Sequence, residues 1–464
     1  MTKIDLIQPR HNYAPPASQE AIGHVYMPTS LLTAAARLIA AGVDVEIHDE
    51  NIRPRNITSE YIGINLLGAP YIPEAIRIQN EISREAENAK YILGGQVISG
   101  LSPEELRRLF GNSAHNGNDD TTLASVLGVD TRSLTSARNT SLIPAYERIS
   151  DKDMKMYLSR EFGFYLSQGC EKACDFCAAS RTFKDPVTGD ISRVIESYRS
   201  PEIIRADLEY LVGRARRMGM NELNMYLSNL DVFQTPGALA EFANIVQDIR
   251  RENPGFEIVT RGLSRVDSFL NARKNAISPI EEIVSSGFHT VGFGVDGGTE
   301  EAWRNNHKGQ NERMCIEAIR SARQDYGITP EALMVFGHVN TSENDPRAAY
   351  DFAKSMSESY GAIPRPHISK WRIPGNAGWR EESGRNYREA LISNPVLFQS
   401  LDFTALPSRL THPDSALREE AIKYFLMMCL LPDNTTQPVF PLEPGMGPHE
   451  IERVRLRNIG KYDR

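Results

Sequence analysis

Three cysteines lie within eight residues of a chain of 464 residues that contains five cysteines in all. Cys170, Cys174 and Cys177 have the spacing C-x3-C-x2-C. Such a short loop can direct three thiolates at one centre, and three thiolates on a four-iron cluster leave one iron open to a small molecule. Zinc would need a fourth nitrogen or sulfur ligand, and no second C-x2-C or H-x3-H pair follows. The spacing favours an open iron–sulfur centre, with zinc and purely structural thiols as the alternatives.

The composition of the chain indicates what class of protein carries this loop. The chain is 41% hydrophobic and 24% charged, which is typical of a soluble globular protein with two or three domains. Its net charge of −8 argues against a nucleic-acid partner. No apolar run is long enough to cross a membrane, and the first residues lack the layout of a secretory signal. We therefore expect a cytoplasmic protein without a membrane partner.

The cysteine loop, with the aromatic residue Phe176 directly before its third cysteine, resembles the radical S-adenosylmethionine (SAM) superfamily. The resemblance implies that Cys170, Cys174 and Cys177 hold a [4Fe–4S] cluster. It also implies that SAM binds the open iron through its amino and carboxylate groups. A one-electron donor such as flavodoxin or ferredoxin would then drive cleavage of SAM to a 5′-deoxyadenosyl radical. That radical would take a hydrogen atom from a substrate.

Strand-like and helical patterns alternate along residues 161–375, as a β/α barrel requires. Six such units predict a partial (β/α)6 TIM barrel of radical SAM type, whose chemistry gathers at the C-terminal ends of the strands. The strand-like runs are 163–169, 222–229, 257–263, 290–296, 332–339 and 366–373.

The N-terminal residues 1–130 predict a separate doubly wound, Rossmann-like α/β domain, with strands at 3–9, 44–49, 60–68 and 89–95. Residues 1–130 contain no G-x-G-x-x-G that would support dinucleotide binding. The domain resembles the cobalamin-binding domains fused to such barrels, including the pair Gly94 and Gly95. The D-x-H-x-x-G motif that supplies a histidine to cobalt is absent. This counts against cobalamin, but some fused enzymes bind it without that histidine, so cobalamin stays open.

Two further segments complete the expected organisation. Residues 131–160 carry few periodic apolar positions and predict a linker to the barrel. Residues 376–464 predict a C-terminal helical cap. Cys315 and Cys429 lie in apolar helical patterns and are expected in the core, which leaves no cysteine set for a second cluster.

The resemblance also implies which residues meet SAM. Asp296 stands at the end of the fourth strand, where the family places a glutamate toward the ribose hydroxyls, although a turn role is the alternative. Arg261 is expected at the end of the third strand, near the SAM carboxylate. The full set of expected contacts is Phe176, Ser228, Asn229, Arg261, Asp296 and Lys308.

Polar residues at the expected barrel mouth indicate a polar substrate, because each buried polar group of a ligand needs a partner. Asp231, His338 and Glu343 are the candidates for acid–base catalysis, and His367 and Lys370 lie on the sixth strand. The overall layout resembles the radical SAM diol dehydratases of aminoglycoside biosynthesis. That resemblance implies loss of the 3′-hydroxyl from an amino sugar such as paromamine, followed by an NAD(P)H-dependent reductase. The alternatives are a cobalamin-dependent radical SAM methyltransferase and a non-catalytic iron–sulfur or zinc protein.

Overall fold

Parallel strands and covering helices make up most of the computed structural model, which describes residues 2–10, 26–172, 174–178, 196–275, 277–339, 341–370, 372–402 and 404–459. The strands are β1 Lys3–Gln8, β2 Asp44–Asp49, β3 Tyr61–Asn65, β4 Lys90–Gly94, β5 Ala114–Asn116, β6 Glu161–Phe164, β7 Ser167–Gln168, β8 Ser197–Tyr198, β9 Glu222–Leu227, β10 Glu257–Ser264, β11 Phe288–Gly294, β12 Thr329–Phe336 and β13 Ile363–Ile368.

The helices lie mainly between these strands, as the sequence pattern predicts. They are α1 Thr29–Ala40, α2 Ile72–Ile82, α3 Gln96–Gly100, α4 Pro103–Phe110, α5 Asp120–Leu127, α6 Ile143–Tyr146, α7 Asp151–Leu158, α8 Pro201–Arg217, α9 Pro236–Glu252, α10 Val266–Asn275, α11 Ile277–Ser285, α12 Glu300–Asn305, α13 Glu312–Tyr326, α14 Asp345–Tyr360, α15 Arg385–Ser393, α16 Ser415–Met428 and α17 Pro448–Ile459.

The N-terminal sheet has the strand order β2-β1-β3-β4-β5, and all of its neighbouring strands are parallel. This confirms the doubly wound α/β unit. The strand β5 was not expected, because its three residues AHN lie inside a polar stretch too short to show a periodic pattern. The carboxyl ends of the five strands form one edge of the sheet, and this edge is where such folds bind ligands.

The second sheet has the order β6-β9-β10-β11-β12-β13, with every neighbouring pair parallel. It is an open half-barrel, which confirms the predicted partial barrel. Along β10, Ile258, Thr260 and Gly262 are buried under the helices, whereas Arg261 and Leu263 alternate with them and line the interior. The expected first strand, 163–169, is divided into β6 and the short β7, which pairs antiparallel with β8.

A buried ion pair fixes the two ends of the segment that carries the cysteines. Arg199, directly after β8, pairs with Asp207 of α8 at 2.5 Å, and both side chains have no exposed surface. Arg199 also donates to the carbonyl oxygens of Tyr165 at 3.0 Å and Thr140 at 2.9 Å. The guanidinium thereby joins the start of the cysteine segment, its end and the first barrel helix.

The core is divided over the two faces of the N-terminal sheet. One apolar cluster is continuous from this sheet into the half-barrel and includes Leu32, Tyr146 and Leu208. The other face is covered by residues of the C-terminal segment, among them Trp379 and Phe398. Residues 131–160 contain α6 and α7 and contribute Tyr146 to the core, whereas most of residues 131–139 are exposed. Among the described residues, no helix combines the length and apolar character needed to cross a membrane.

Candidate active site

The cysteine loop lies at the C-terminal ends of the half-barrel strands, where β7 and β8 close its base. Cys170 and Cys174 are 8% and 7% exposed, Cys177 is half-buried, and all three are free thiols. Cys177 interacts electrostatically with both of the other thiols. Burial raises the pKa of Cys170 to about 11.

The guanidinium of Arg265 contacts this loop from the barrel side. Arg265, the residue after β10, donates from Nη1 to Sγ of Cys174 at 3.4 Å. Its other nitrogens donate to the backbone oxygen of Lys308 and, at 2.8 Å, to Asp267. Arg265 was not expected from the sequence, because an arginine at this position carries no signal until the fold brings residues 174 and 265 together.

Phe176 joins two of the other expected residues. Its ring lies 5.3 Å from the imidazole of His338, and Nζ of Lys308 lies 5.7 Å from its centre. Lys308 forms a buried ion pair with Asp296 at 2.5 Å, and the other carboxylate oxygen of Asp296 accepts from the backbone N–H of Val335. The structure therefore brings Phe176, Asp296, Lys308 and His338 together beside Cys174.

His338 is buried, and burial lowers the pKa of its imidazole. Nε2 lies 3.1 Å from the carbonyl oxygen of Val335. A carbonyl can only accept, so Nε2 carries the proton and Nδ1 is the basic nitrogen. The side chain is a neutral imidazole at neutral pH.

Asn229 belongs to a second polar group, at the end of β9. Its Nδ2 donates to Ser167 at 2.7 Å, to Tyr198 at 3.2 Å and to Glu196 at 3.4 Å. Its Oδ1 is buried and has no hydrogen-bond partner among the described residues. Glu196 also accepts from Gln234, and burial raises the pKa of its carboxyl. Glu196 was not expected from the sequence, because it lies in a polar stretch with no periodic pattern.

Asp231 is 1% exposed and lies between the loops that follow β9 and β10. Its carboxylate accepts from the hydroxyls of Ser264 at 3.0 Å and Ser268 at 2.5 Å. The backbone N–H groups of Phe233 and Arg265, each at 3.3 Å, complete its partners. Burial raises the pKa of this carboxyl. Four donors within the chain occupy Asp231, which orders two loops beneath the cysteines.

The remaining expected residues lie apart from this group. Arg261 does not end β10, which continues to Ser264; it lies in the barrel interior and pairs with Glu161 and Glu331. Ser228 is half-buried beside Gly163 of β6. Glu343 is exposed in the turn before α14.

A cavity of about 700 Å³ lies in the barrel interior below the strand ends. Arg261, Glu331 and Arg365 line it, and Glu331 accepts from both arginines, at 3.1 and 2.7 Å. Leu263 and Leu333 also line it, one interior position nearer the strand ends. Arg261 and Glu331 thus lie one interior position further from the strand ends than these leucines.

Known proteins share this architecture, although their sequences are only distantly similar. No family model matches the chain. An uncharacterized methyltransferase of Pyrococcus horikoshii is 24% identical over 216 residues, which are 45% of this chain and 41% of that protein. The chain therefore matches less than half the length of this relative.

Two solved structures are similar over most of the chain. TsrM from Kitasatospora setae, a radical SAM methyltransferase with cobalamin and a [4Fe–4S] cluster bound, has a TM-score of 0.59 at 14% identity, covering 99% of this chain and 91% of TsrM. OxsB, a cobalamin-dependent SAM radical enzyme with aqua-cobalamin and SAM bound, has a TM-score of 0.55 at 14% identity, covering 87% of this chain and 57% of OxsB. These likenesses confirm the fold class, which is a Rossmann-like α/β domain followed by a half-barrel, as in these two enzymes. None of these three proteins is named as a diol dehydratase.

The donor set at the cysteine loop fits an iron–sulfur cluster. In the described part of the chain, no three His, Cys, Asp or Glu side chains are gathered tightly enough to hold a metal ion. The cysteines of a four-iron cluster bind different irons, so their sulfurs need not meet at one atom. Two buried thiols, a neighbouring thiol and an N–H donor at Cys174 suit such a cluster. The buried oxygen of Asn229 suits an ammonium donor such as that of SAM.

The edge of the N-terminal sheet offers a different donor set. The five strands end at Gln8, Asp49, Asn65, Gly94 and Asn116, and two histidines, His48 and His115, lie one residue before the ends of β2 and β5. Asn65 donates to Gln8 at 2.7 Å and bonds to Ser30, and Asn118 bonds to both backbone groups of Gly95. These polar groups are satisfied by one another. At these five end positions the side chains therefore offer cobalt no imidazole ligand.

Proposed function

We propose that the protein is a radical SAM enzyme that holds a [4Fe–4S] cluster through Cys170, Cys174 and Cys177 and acts on a small polar molecule. The observation that carries the proposal is the position of the three thiols at the C-terminal ends of a radical SAM-type half-barrel. The cluster supplies one electron for the cleavage of SAM to methionine and a 5′-deoxyadenosyl group. Flavodoxin or ferredoxin is the expected class of electron donor.

Residues around the loop have separate tasks in this proposal. Asn229 accepts a hydrogen bond from the SAM ammonium, and the Glu196 carboxylate lies beside it. Phe176 provides an apolar face between His338 and Lys308. The ion pair of Lys308 with Asp296 closes the site on the side of β11.

Cobalamin-dependent methyl transfer is the outcome that the comparisons favour. TsrM and the relative from Pyrococcus horikoshii are both described as methyltransferases, and the TsrM likeness covers nearly the whole of this chain. In this case the N-terminal domain binds cobalamin without an imidazole ligand from the last residues of β1 to β5. The substrate receives a methyl group, and S-adenosylhomocysteine is formed beside 5′-deoxyadenosine.

Dehydration of a 1,2-diol in an amino sugar such as paromamine is the second candidate. The lack of D-x-H-x-x-G and the mutually bonded polar groups at the edge of the N-terminal sheet favour a reaction without cobalamin. Of the three acid–base candidates, His338 is the best placed, because Asp231 is occupied and Glu343 is exposed. An NAD(P)H-dependent reductase would follow this reaction.

One experiment separates these candidates. The protein is purified and reconstituted without oxygen, its iron and cobalt are measured, and it is incubated with SAM and dithionite. Formation of 5′-deoxyadenosine supports the radical SAM proposal, and its absence contradicts it. Bound cobalamin with S-adenosylhomocysteine and a heavier product indicates methyl transfer. Loss of water from paromamine without cobalt indicates dehydration.

A further inference from the structure

Arg265 has the geometry of a residue that acts on the cluster through one of its cysteine ligands. It is 6% exposed, and its guanidinium donates to Sγ of Cys174 at 3.4 Å. Metal–sulfur centres are tuned by hydrogen bonds to their sulfurs as well as by their ligands. The sequence resemblance gave this residue no role.

The guanidinium is held in this position by several independent contacts. Nη2 donates to the backbone oxygen of Lys308, and Nε donates to Asp267 at 2.8 Å. Its backbone N–H donates to Asp231 at 3.3 Å. Asp267 also pairs at 3.4 Å with Lys172, which lies in the cysteine loop itself. Arg265 is therefore fixed to the barrel, while the loop is attached to the same carboxylate.

Two cations lie near Cys174, and the positive charge of Arg265 is less completely neutralised than that of Lys308. Nζ of Lys308 is paired with Asp296 at 2.5 Å, which offsets its charge. The carboxylate of Asp267 is shared between two cations, Arg265 and Lys172, so it neutralises the guanidinium only in part. An N–H directed at a cysteine sulfur stabilises negative charge on that sulfur, and this charge increases when the cluster takes up an electron.

We propose that Arg265 makes the cluster easier to reduce by its hydrogen bond to Cys174. This inference rests on the proposed [4Fe–4S] cluster. Hydrogen bonds to charged groups contribute enough free energy to change an equilibrium constant by about tenfold. For a one-electron couple, a tenfold change corresponds to about 59 mV in reduction potential.

The test is a potentiometric titration of the reconstituted protein, monitored by the electron paramagnetic resonance of the reduced cluster. Arg265→Met keeps the apolar stem and removes the N–H group, so we expect the cluster to become about tenfold harder to reduce. Arg265→Lys should give a smaller change in the same direction. Arg273→Met is the matched control: it removes a guanidinium of α10 that pairs with Glu317 and Asp325, and should leave the potential unchanged.

Asp267→Asn provides an independent variant if Arg265→Met loses iron. It removes the negative partner of Arg265 but leaves the donor to Cys174, so the cluster should become easier to reduce. If Arg265→Met retains its iron, an unchanged reduction potential in that variant overturns the inference. If Arg265→Met loses iron, an unchanged reduction potential in Asp267→Asn overturns it. So does an equal shift in Arg273→Met. A wild-type protein without a [4Fe–4S] cluster instead overturns the proposed function.

Discussion

Nζ of Lys308 lies 2.5 Å from a carboxylate oxygen of Asp296, and both side chains are buried beside Cys174. A buried ion pair is costly to break from one side, because the remaining charge keeps no partner. The desolvated ammonium would be left among Phe176 and the cysteine loop.

We therefore expect Asp296→Asn to lower the free energy of unfolding by about 3–5 kcal/mol. The measurement is urea unfolding of the reconstituted protein. Asp351→Asn is the control, since it breaks an exposed i,i+4 pair with Arg347 and should cost less than about 1 kcal/mol. If Asp296→Asn is no more destabilising than this control, the ion pair does not contribute as the geometry indicates. Combining Asp296→Asn with Lys308→Met should restore part of the loss.

Asn229 allows a test of the proposed SAM position. Its buried Oδ1 has no partner in the described part of the chain, so a bound ammonium would gain a charge-assisted hydrogen bond there. We expect Asn229→Ala to weaken SAM binding by about tenfold or more, measured by equilibrium dialysis. Asn224→Ala in β9, five residues earlier, should leave the affinity unchanged, because that side chain is only half-buried and bonds to Glu222. Equal affinities in the two variants would place the ammonium elsewhere.

Lys370 predicts a pH dependence of stability. Burial lowers the pKa of its amine from 10.5 to about 7, and Nζ donates to the backbone oxygen of Ala405. Below about pH 7 the amine is protonated in both the folded and the unfolded chain, and burying its charge destabilises the fold fully. Between about pH 7 and 10.5 only the unfolded chain keeps this proton, so the destabilisation decreases as the pH rises. Lys370→Met should therefore unfold at higher urea than the wild type at pH 6, with a difference that shrinks toward pH 10. A difference that stays constant with pH would contradict this account.

Gly298 marks a close approach between the loop after β11 and the helix α14. A Cβ atom at this position would overlap the backbone of Ala348 and Ala349, which cannot move as a side chain could. We expect Gly298→Ala to destabilise the fold by about 1–3 kcal/mol in thermal unfolding. Gly213→Ala in the interior of α8 should instead stabilise it by about 0.5–1 kcal/mol, because nothing crowds that position. The opposite order of the two melting temperatures would contradict the packing described.

The fold was predictable because parallel strands covered by helices leave a strong apolar pattern. β2 has the bounds predicted from the sequence, and each of the six barrel strands overlaps its predicted run, although β12 and β13 begin three residues earlier than predicted. The strand β5 was missed because three polar residues cannot show alternation. Arg261 was expected at a strand end from the family resemblance, but the strand-like run extends to residue 263 and β10 continues through Ser264.

The candidate site was predictable only where a local motif carries it. Cys170, Cys174 and Cys177 follow from their spacing alone, and Phe176 from its place in that motif. Arg265 and Glu196 were missed, since their contacts depend on residues 91 and 33 positions away along the chain. Asp231 was expected to be a free acid, but four internal donors occupy it, and sequence patterns do not show which donors a buried carboxylate will meet.

The central claim is that three cysteine ligands leave one iron of the cluster open to SAM. Mössbauer spectroscopy of the anaerobically reconstituted protein, with and without SAM, tests it most directly. We expect about four irons per chain, with one iron site whose spectrum changes when SAM is added. A protein that holds no such cluster, or a cluster whose irons are all unaffected by SAM, would contradict the account.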